Sequence, residues 1–362
     1  MKDRTLSKKW IFWGINGLLV LLALVCLLFL HRVCTTLPTL NAANTWAGES
    51  EMPFAQLACY LPNDQTLEEQ DIWSFRQTLE KQLTDAALEA PENGSLYTDA
   101  YSGQGTLTVT AERGNAQVSV IGVGGDYFRF HPLQLRSGSY LAETDLMQDR
   151  VILDEELAWK LFGGMDLTGL SVTINGADYY VAGVVSREDD RYSSIAYSDG
   201  AGMFMSYSAL KACNDSVSIN CYEIVMPNTI TSFAKNMVQE HFPLKDGIVV
   251  ENSSRYSLEN LLNVIGDFGK RSMGLNGIIY PYWENAVRLT EDYAALLLVL
   301  TVLFALMPVI SVTVLVGRTV KTGWRKGKHI MRNNVESAVE RHREQKWQQA
   351  TGKKDGNGKG FI

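Results

Sequence analysis

Residues 151–164 read VILDEELAWKLFGG. Val151 to Leu153 are apolar and predict a short strand. Asp154 stands where a helix N-cap would offer an oxygen to an orphan backbone N–H. Leu157, Leu161 and Phe162 then fall on one face of a brief helix, and Gly163 and Gly164 can end it with positive φ. Immediately after, SVTINGADYYVAGVV (171–185) reads as a hairpin, because Asn175-Gly176 suits the type I′ turn. The segment holds no nucleophile with a base and no phosphate loop, so it reads as scaffold.

Working outward, FAQLACYL (54–61) predicts a strand after a polar linker ending near Pro53. TLEEQDIWSFRQTLEKQL (66–83) predicts a helix, with Thr66 and Glu69 as a capping box and Ile72, Phe75, Leu79 and Leu83 as its apolar stripe. TLTVT (106–110) and QVSVI (117–121) alternate around the turn AERGNA. Farther on, CYEIVM (221–226), TSFAKNMVQEHF (231–242) and GIVVE (247–251) repeat strand, helix, strand. The fold class predicted is α+β: porter-like strand–helix–strand units from separated pieces of chain, with an inserted β-rich subdomain at about residues 130–200.

The ends have a different character. Trp10 to Leu30 and Tyr293 to Val316 carry no charge, and at ~1.5 Å per residue each is long enough to cross ~30 Å of hydrocarbon. Pro308 is expected to kink the second. The rival for the first is a cleavable signal peptide. Its apolar run exceeds the usual ~7–15 residues, and NAANTWA offers only a weak cleavage site, which favours an uncleaved anchor. Lys2, Arg4, Lys8 and Lys9 precede the first span, and Arg318, Lys321, Arg325, Lys326 and Lys328 follow the second. By the positive-inside rule both ends, 1–9 and 317–362, are cytoplasmic and 31–292 lie outside, in a two-pass protein of the cell membrane.

Charge agrees with this division. Residues 1–10 carry net +3 and residues 318–362 net +8, against −7 for all 362 residues, which leaves −18 between them. An acidic outer segment argues against nucleic acid and against anionic head groups as its partner, whereas the basic tail suits the anionic cytoplasmic leaflet.

At this point the resemblance is specific. VSVIGVGGDYFRFHPLQLRSGSYLAETDL (118–146), followed by RVILDEELAWKLFGGMDLTGLSVTINGADYYVAGVV (150–185), resembles the MacB-like periplasmic core domain of FtsX-type ABC transporter permeases. The order helix, outer domain, helix extends the likeness to roughly residues 1–320. The resemblance implies a porter-like α+β domain standing outside the membrane, and a role as a non-ATPase membrane subunit of an export or mechanotransmission complex. It departs in having two spans where such permeases usually have four, lacking the last two. No GxxxxGK[ST] loop is present, so an ABC ATPase subunit and further permease chains are the implied partners, in a homo- or hetero-oligomer. The alternative is a membrane-anchored sensor or assembly factor that does not transport; an outer-surface hydrolase comes third.

YPYWENAVRLTEDYAALLLVL (280–300) supplies a coupling element for the first reading. Pro281 suits the first helical position, and after it no breaker occurs before Pro308. One helix bearing Trp283 and Glu284 would therefore run from the outer domain into the bilayer. Beyond it, Met331, Val335, Ala338 and His342 recur at spacings of four, three and four, either a seam for a partner or membrane, or one side of a solvated helix. TGKKDGNGKGFI is expected to be disordered.

Catalytic and metal chemistry is not indicated, and no cofactor is expected. Ser208 and Lys211 match an SxxK motif and Lys321 to Gly323 a KTG motif, but the topology puts them on opposite sides of the membrane. His31, His131, His241, His329 and His342 are similarly divided. The glycines of GVGGDYF read as a turn, and Glu188, Asp189 and Asp190 as a solvated loop rather than a cation site. Cys213 closes a predicted helix and Cys221 opens a strand, so either a local disulfide or two unpaired thiols is open.

Overall fold

The computed structural model describes residues 2–88, 94–197, 201–271, 274–275 and 277–352. It divides into two compact units, residues 28–297 and a second made of 1–27 with 298–362.

The larger unit is built on a ten-stranded mixed sheet. Its first half joins β1 (Phe54–Tyr60), β2 (Thr98–Ala111), β9 (Cys221–Pro227) and β10 (Ile248–Glu251), in the order β10-β1-β9-β2. The two strand–helix–strand units thus interleave, although more than a hundred residues separate β2 from β9 in sequence. The sheet continues through β3 (Gly114–Gly125), β8 (Ala201–Ser206), β5 (Arg150–Asp154), β7 (Ala177–Ser186) and β4 (Gln134–Gly138), with β6 (Ser171–Ile174) bridging β2 and β7.

Alternation along the strands gives the sheet two apolar faces. Leu57 and Cys59 of β1 and Tyr222 and Ile224 of β9 face one core, with α3 (Glu69–Asp85), α5 (Glu155–Leu161), α7 (Tyr207–Cys213) and α8 (Phe233–His241). Ala58 and Tyr60 of β1 and Cys221 and Val225 of β9 face the other. That face is closed by α2 (Ala42–Ala47), by α4 (Tyr127–Phe130) and by the first turn of the last helix, α10 (Tyr282–Gly352).

The stretch 151–164 folds as its residues dictate. Asp154 accepts from Leu157 N at 2.7 Å, Leu157 and Leu161 are buried, and Gly163 takes φ +77°. Asn175 and Gly176 both have positive φ, as the hairpin turn requires. Farther back the helix start differs from expectation. The cap of α3 is Glu68, in a reciprocal box with Asp71, not Thr66 with Glu69. Leu67 is 1% exposed and its carbonyl accepts from Ile219 N, so the chain stays extended through Leu67 and the helix begins later.

The smaller unit contains the apolar parts of α1 (Lys2–Cys34) and α10. These two helices are long and apolar enough to cross a membrane, with mean hydropathies of 2.5 and 2.7. Within the apolar stretch of α1, Asn16, Ala23 and Cys26 are buried and Leu19, Leu22 and Leu30 half-buried, mostly at three–four spacing, whereas Leu18, Leu21 and Leu24 are exposed. A helix of this kind offers a narrow seam to protein and the rest of its girth to lipid. Pro308 does not interrupt α10, which runs for 71 residues. Residues 353–362, and with them most of the tail expected to be disordered, lie outside the described residues.

Candidate functional site

The residues that join α10 to the core domain form an extended, largely buried polar cluster. The chain enters the helix through Tyr280 and Pro281, both buried. Pro281 precedes the helix and does not occupy its first position; its carbonyl accepts from Asn285 N at 3.1 Å, and Asn285 Nδ2 returns to Tyr280 O at 3.0 Å. The Arg288 guanidinium lies 4.3 Å from the centre of the Tyr280 ring.

Trp283 is 3% exposed and fills the space beneath the sheet. Its ring lies 4.6 Å from His131, 5.9 Å from Tyr127 and 5.1 Å from Tyr282, centre to centre. His131 Nε2 in turn meets Glu223 Oε2 of β9 at 2.5 Å, so an ion pair or charge-assisted hydrogen bond stands behind the indole. Tyr282 stacks on Tyr197 at 4.2 Å, and both hydroxyls donate to Glu188. The acidic loop expected to be solvated is therefore divided: Glu188 holds two tyrosines, and Asp190 caps α6 (Arg191–Ala196) through Tyr192 N and Ser193 N.

Glu284 is the polar centre. It is 3% exposed, accepts from Tyr60 Oη at 2.9 Å and pairs with Arg255. Arg255, also 3% exposed, donates to Asn252 Oδ1 at 2.9 Å and to Glu291 Oε1 at 3.1 Å. Arg271 continues the chain of charges, pairing with Glu291 and, at 2.7 Å, with Asp292 Oδ1. Burial pulls the Arg255 guanidinium down, but Glu284 and Glu291 more than reverse that and hold it above its ordinary value. Burial raises the Glu284 carboxyl above its usual range, opposed by Arg255 and reinforced by Glu291. Burial likewise pushes the Tyr60 hydroxyl well up, so it remains a donor at any physiological pH.

This arrangement clamps a helix. Glu284 and Glu291 are seven residues apart, two turns on one face, so Arg255 grips the helix at two heights. Of the residues proposed from sequence for coupling, Pro281, Trp283 and Glu284 come together here. Pro308 lies in the other unit, as do Arg318, Lys321, Arg325, Lys326 and Lys328, whose side chains are exposed. Arg255, Tyr60, His131 and Glu223 gave no local signal, because the pairings that build the cluster, Arg255–Glu284, His131–Glu223 and Tyr60–Glu284, span 29 to 224 residues of sequence.

The remaining candidates disperse. Cys213 and Cys221 are both free thiols. Cys213 packs against the core on one face of the sheet, its Sγ 3.2 Å from Tyr179 Oη, whereas Cys221 points into the core on the opposite face. The sheet itself stands between them, which a reading of nearby helix and strand ends could not reveal. Ser208 Oγ donates to Glu69, and the Lys211 ammonium is spent on the carbonyls of Asp215 and Val217. No group of three metal-ligating side chains occurs among the described residues.

Comparison with known proteins bears on the domain as a whole. The MacB-like periplasmic core domain family matches residues 62–239. The macrolide export ATP-binding/permease protein MacB of Chromobacterium violaceum is 31% identical over 122 residues, 30% of this chain and 18% of that protein; the chain thus spans under a fifth of that relative's length. The periplasmic region of MacB from Actinobacillus actinomycetemcomitans shares 17% identity over 60% of this chain and 94% of that one, with a TM-score of 0.41. The extracellular domain of the noncanonic ABC-type transporter YknZ from Gram-positive bacteria shares 16% identity over 54% and 99%, with a TM-score of 0.36. Residues 62–239, just under half of the chain, match the MacB-like periplasmic core domain, and in sequence they lie between two long apolar helices.

Proposed function

We propose that this chain is a non-ATPase membrane subunit of an ABC-type export or mechanotransmission complex, in which α10 passes motion between a cytoplasmic ATPase and the core domain. The observation that carries this reading is the clamp on the helix. Trp283, Glu284 and Glu291 are held inside the core domain, and the same helix continues without interruption into its apolar stretch. A displacement of the helix along or about its axis would have to move β1, β9 and Arg255 with it, because Tyr60, Glu223 through His131, and Arg255 are its direct or next neighbours. In this reading both ends are cytoplasmic, and Arg318, Lys321, Arg325, Lys326 and Lys328 hold the tail against anionic lipid. Two chains of this kind, or one with further permease chains, would supply the spans that line a permease.

The test is purification of the tagged full chain from its native membranes in mild detergent, with the co-purifying chains identified. An ABC ATPase at fixed stoichiometry, whose ATP turnover changes when Arg255 is replaced by Met, is the expected result. Recovery of a sensor kinase or of no partner in several detergents would replace the transport reading with an anchored sensor or assembly factor.

A further inference from the structure

Helix α9 (Leu258–Gly266) has an apolar face that the core domain leaves uncovered. Leu261 and Val264 turn inward, at 4% and 9% exposure. Leu258, Leu262 and Phe268, on and just after the helix, are 64%, 54% and 62% exposed, and Ile265 between them is half-buried. A single exposed leucine is ordinary on a soluble surface, but a stripe at spacings of four, three and three is the pattern of a helix that buries two faces.

What lies against the second face follows from how α9 is tethered. Just before it, Tyr256 Oη meets Thr290 Oγ1 of α10 at 2.6 Å. Just after it, Arg271 pairs with Glu291 and Asp292. The helix is thus tied at both ends to the turn 290–292 of α10, and from Tyr293 to Gly317 that helix carries no charged residue. A second element reaches the same level. The Arg191 guanidinium of α6 lies 5.6 Å from the Tyr293 ring, and Tyr192 packs on that ring at 5.6 Å. Arginine and tyrosine gathered at the start of an apolar run are what a head-group layer selects.

We propose that α9 is an interfacial helix, with Leu258, Leu262 and Phe268 seated in the adjoining leaflet of the bilayer at the boundary of head groups and acyl chains. It gives the core domain a membrane contact beyond its two spans, next to the Arg255 clamp. Its exposed charges, Glu259 and Asp267 against Lys270, nearly balance. The contact is therefore carried by apolar area and does not require anionic lipid.

A photo-crosslinking amino acid bearing a diazirine, placed singly at position 258, 262 or 268 of the full chain, tests this; positions 259 and 263 serve as controls on the same helix. The protein is irradiated in its host membrane and again after reconstitution into phosphatidylcholine vesicles. Because the replaced side chains are exposed, the substitutions leave the core intact. The expected result is lipid adducts at 258, 262 and 268, several-fold above the controls, in both preparations and unchanged by added salt. Protein adducts at these positions in the host membrane would mean that a partner chain or second copy covers the face, and would overturn the proposal. Lipid yields at 262 no higher than at 263 would also overturn it, by placing the helix in water.

Discussion

Replacing Arg255 by Met is the sharpest probe of the clamp on α10. Methionine keeps much of the side-chain volume but removes three hydrogen-bonding partners, those to Asn252, Glu284 and Glu291. Glu291 retains Arg271, so the damage falls on Glu284, which is 3% exposed and keeps only the Tyr60 hydroxyl. Removing one partner of a buried ion pair costs about 3–5 kcal/mol, because the other is left desolvated and unpaired. For a domain of this size that is a fall on the order of 10 °C in Tm. Burial already raises the Glu284 carboxyl, and without Arg255 its chief opposing influence is gone. A carboxyl whose folded pKa lies above its unfolded value is least costly below the unfolded pKa, and its penalty grows as pH rises through the folded one. The variant should therefore be closest to wild type in acid and fall behind it toward neutral pH. Adding Glu284→Gln removes the stranded charge and still accepts from Tyr60, so the double variant should recover most of the loss. The measurement is thermal unfolding of the full chain in detergent, followed by tryptophan fluorescence across pH. Equal or additive losses in the single and double variants, or a deficit largest in acid, would refute the reasoning.

Other consequences can be checked separately. Asp154 caps α5 and pairs with Arg187 at 2.5 Å, yet burial raises its carboxyl above the ordinary value. Asp154→Asn keeps the cap and should cost less than Asp154→Ala, which loses a cap worth about 1 kcal/mol as well as the pair, as denaturant unfolding would show. A methyl group at Gly138, φ +75°, would stand 2.0 Å from Ala182 O, whereas at Gly176, φ +82°, it meets open space. Gly138→Ala should accordingly destabilise β4 and β7 severely, and Gly176→Ala by only about 1 kcal/mol of backbone strain, in the same assay. Thiol labelling without denaturant should modify Cys213 but spare Cys59 and Cys221, whose thiols burial pushes up, and reducing agent should leave the melting curve unchanged. Inserting one alanine after Asp292 turns the apolar part of α10 by ~100° against the clamp, while seven residues restore the phase to within ~20°. If the proposed ATPase partner co-purifies, the single insertion should uncouple its ATP turnover from changes at Arg255, and the seven-residue insertion should preserve the link.

Local patterns carried the sequence reading where short-range chemistry decides the fold. The N-cap at Asp154, the Asn175-Gly176 turn, and the ends of α7 and β9 at Cys213 and Cys221 all depend on neighbours within a few residues. The reading failed where a long-range contact overrode a local motif. Thr66 looked like a cap because Glu69 stands three residues on, but burying Leu67 against the sheet costs the helix its first turn. The choice left open at Cys213 and Cys221, bridge or unpaired thiols, falls to the second for a related reason. Separation along the chain says nothing about which face of a sheet a side chain enters, and Cys213 and Cys221 enter opposite ones. Arg255 was invisible because a lone arginine in SSRYS acquires meaning only when α10 is laid beside it.

A plain stalk would need none of this polarity. Apolar packing at buried Trp283, Val287 and Ala294 would hold a helix to the core domain at little cost, and it would tolerate small rotations because such contacts have no direction. The buried charges add no clear stability over a hydrophobic substitute, since desolvation offsets most of their attraction. What they add is direction: Glu284 and Glu291 can both meet Arg255 at only one rotation and one height of the helix. In the proposed transport role, such a costly contact would fix the phase of α10 against β1 and β9, so that motion of the helix would be transmitted and not absorbed.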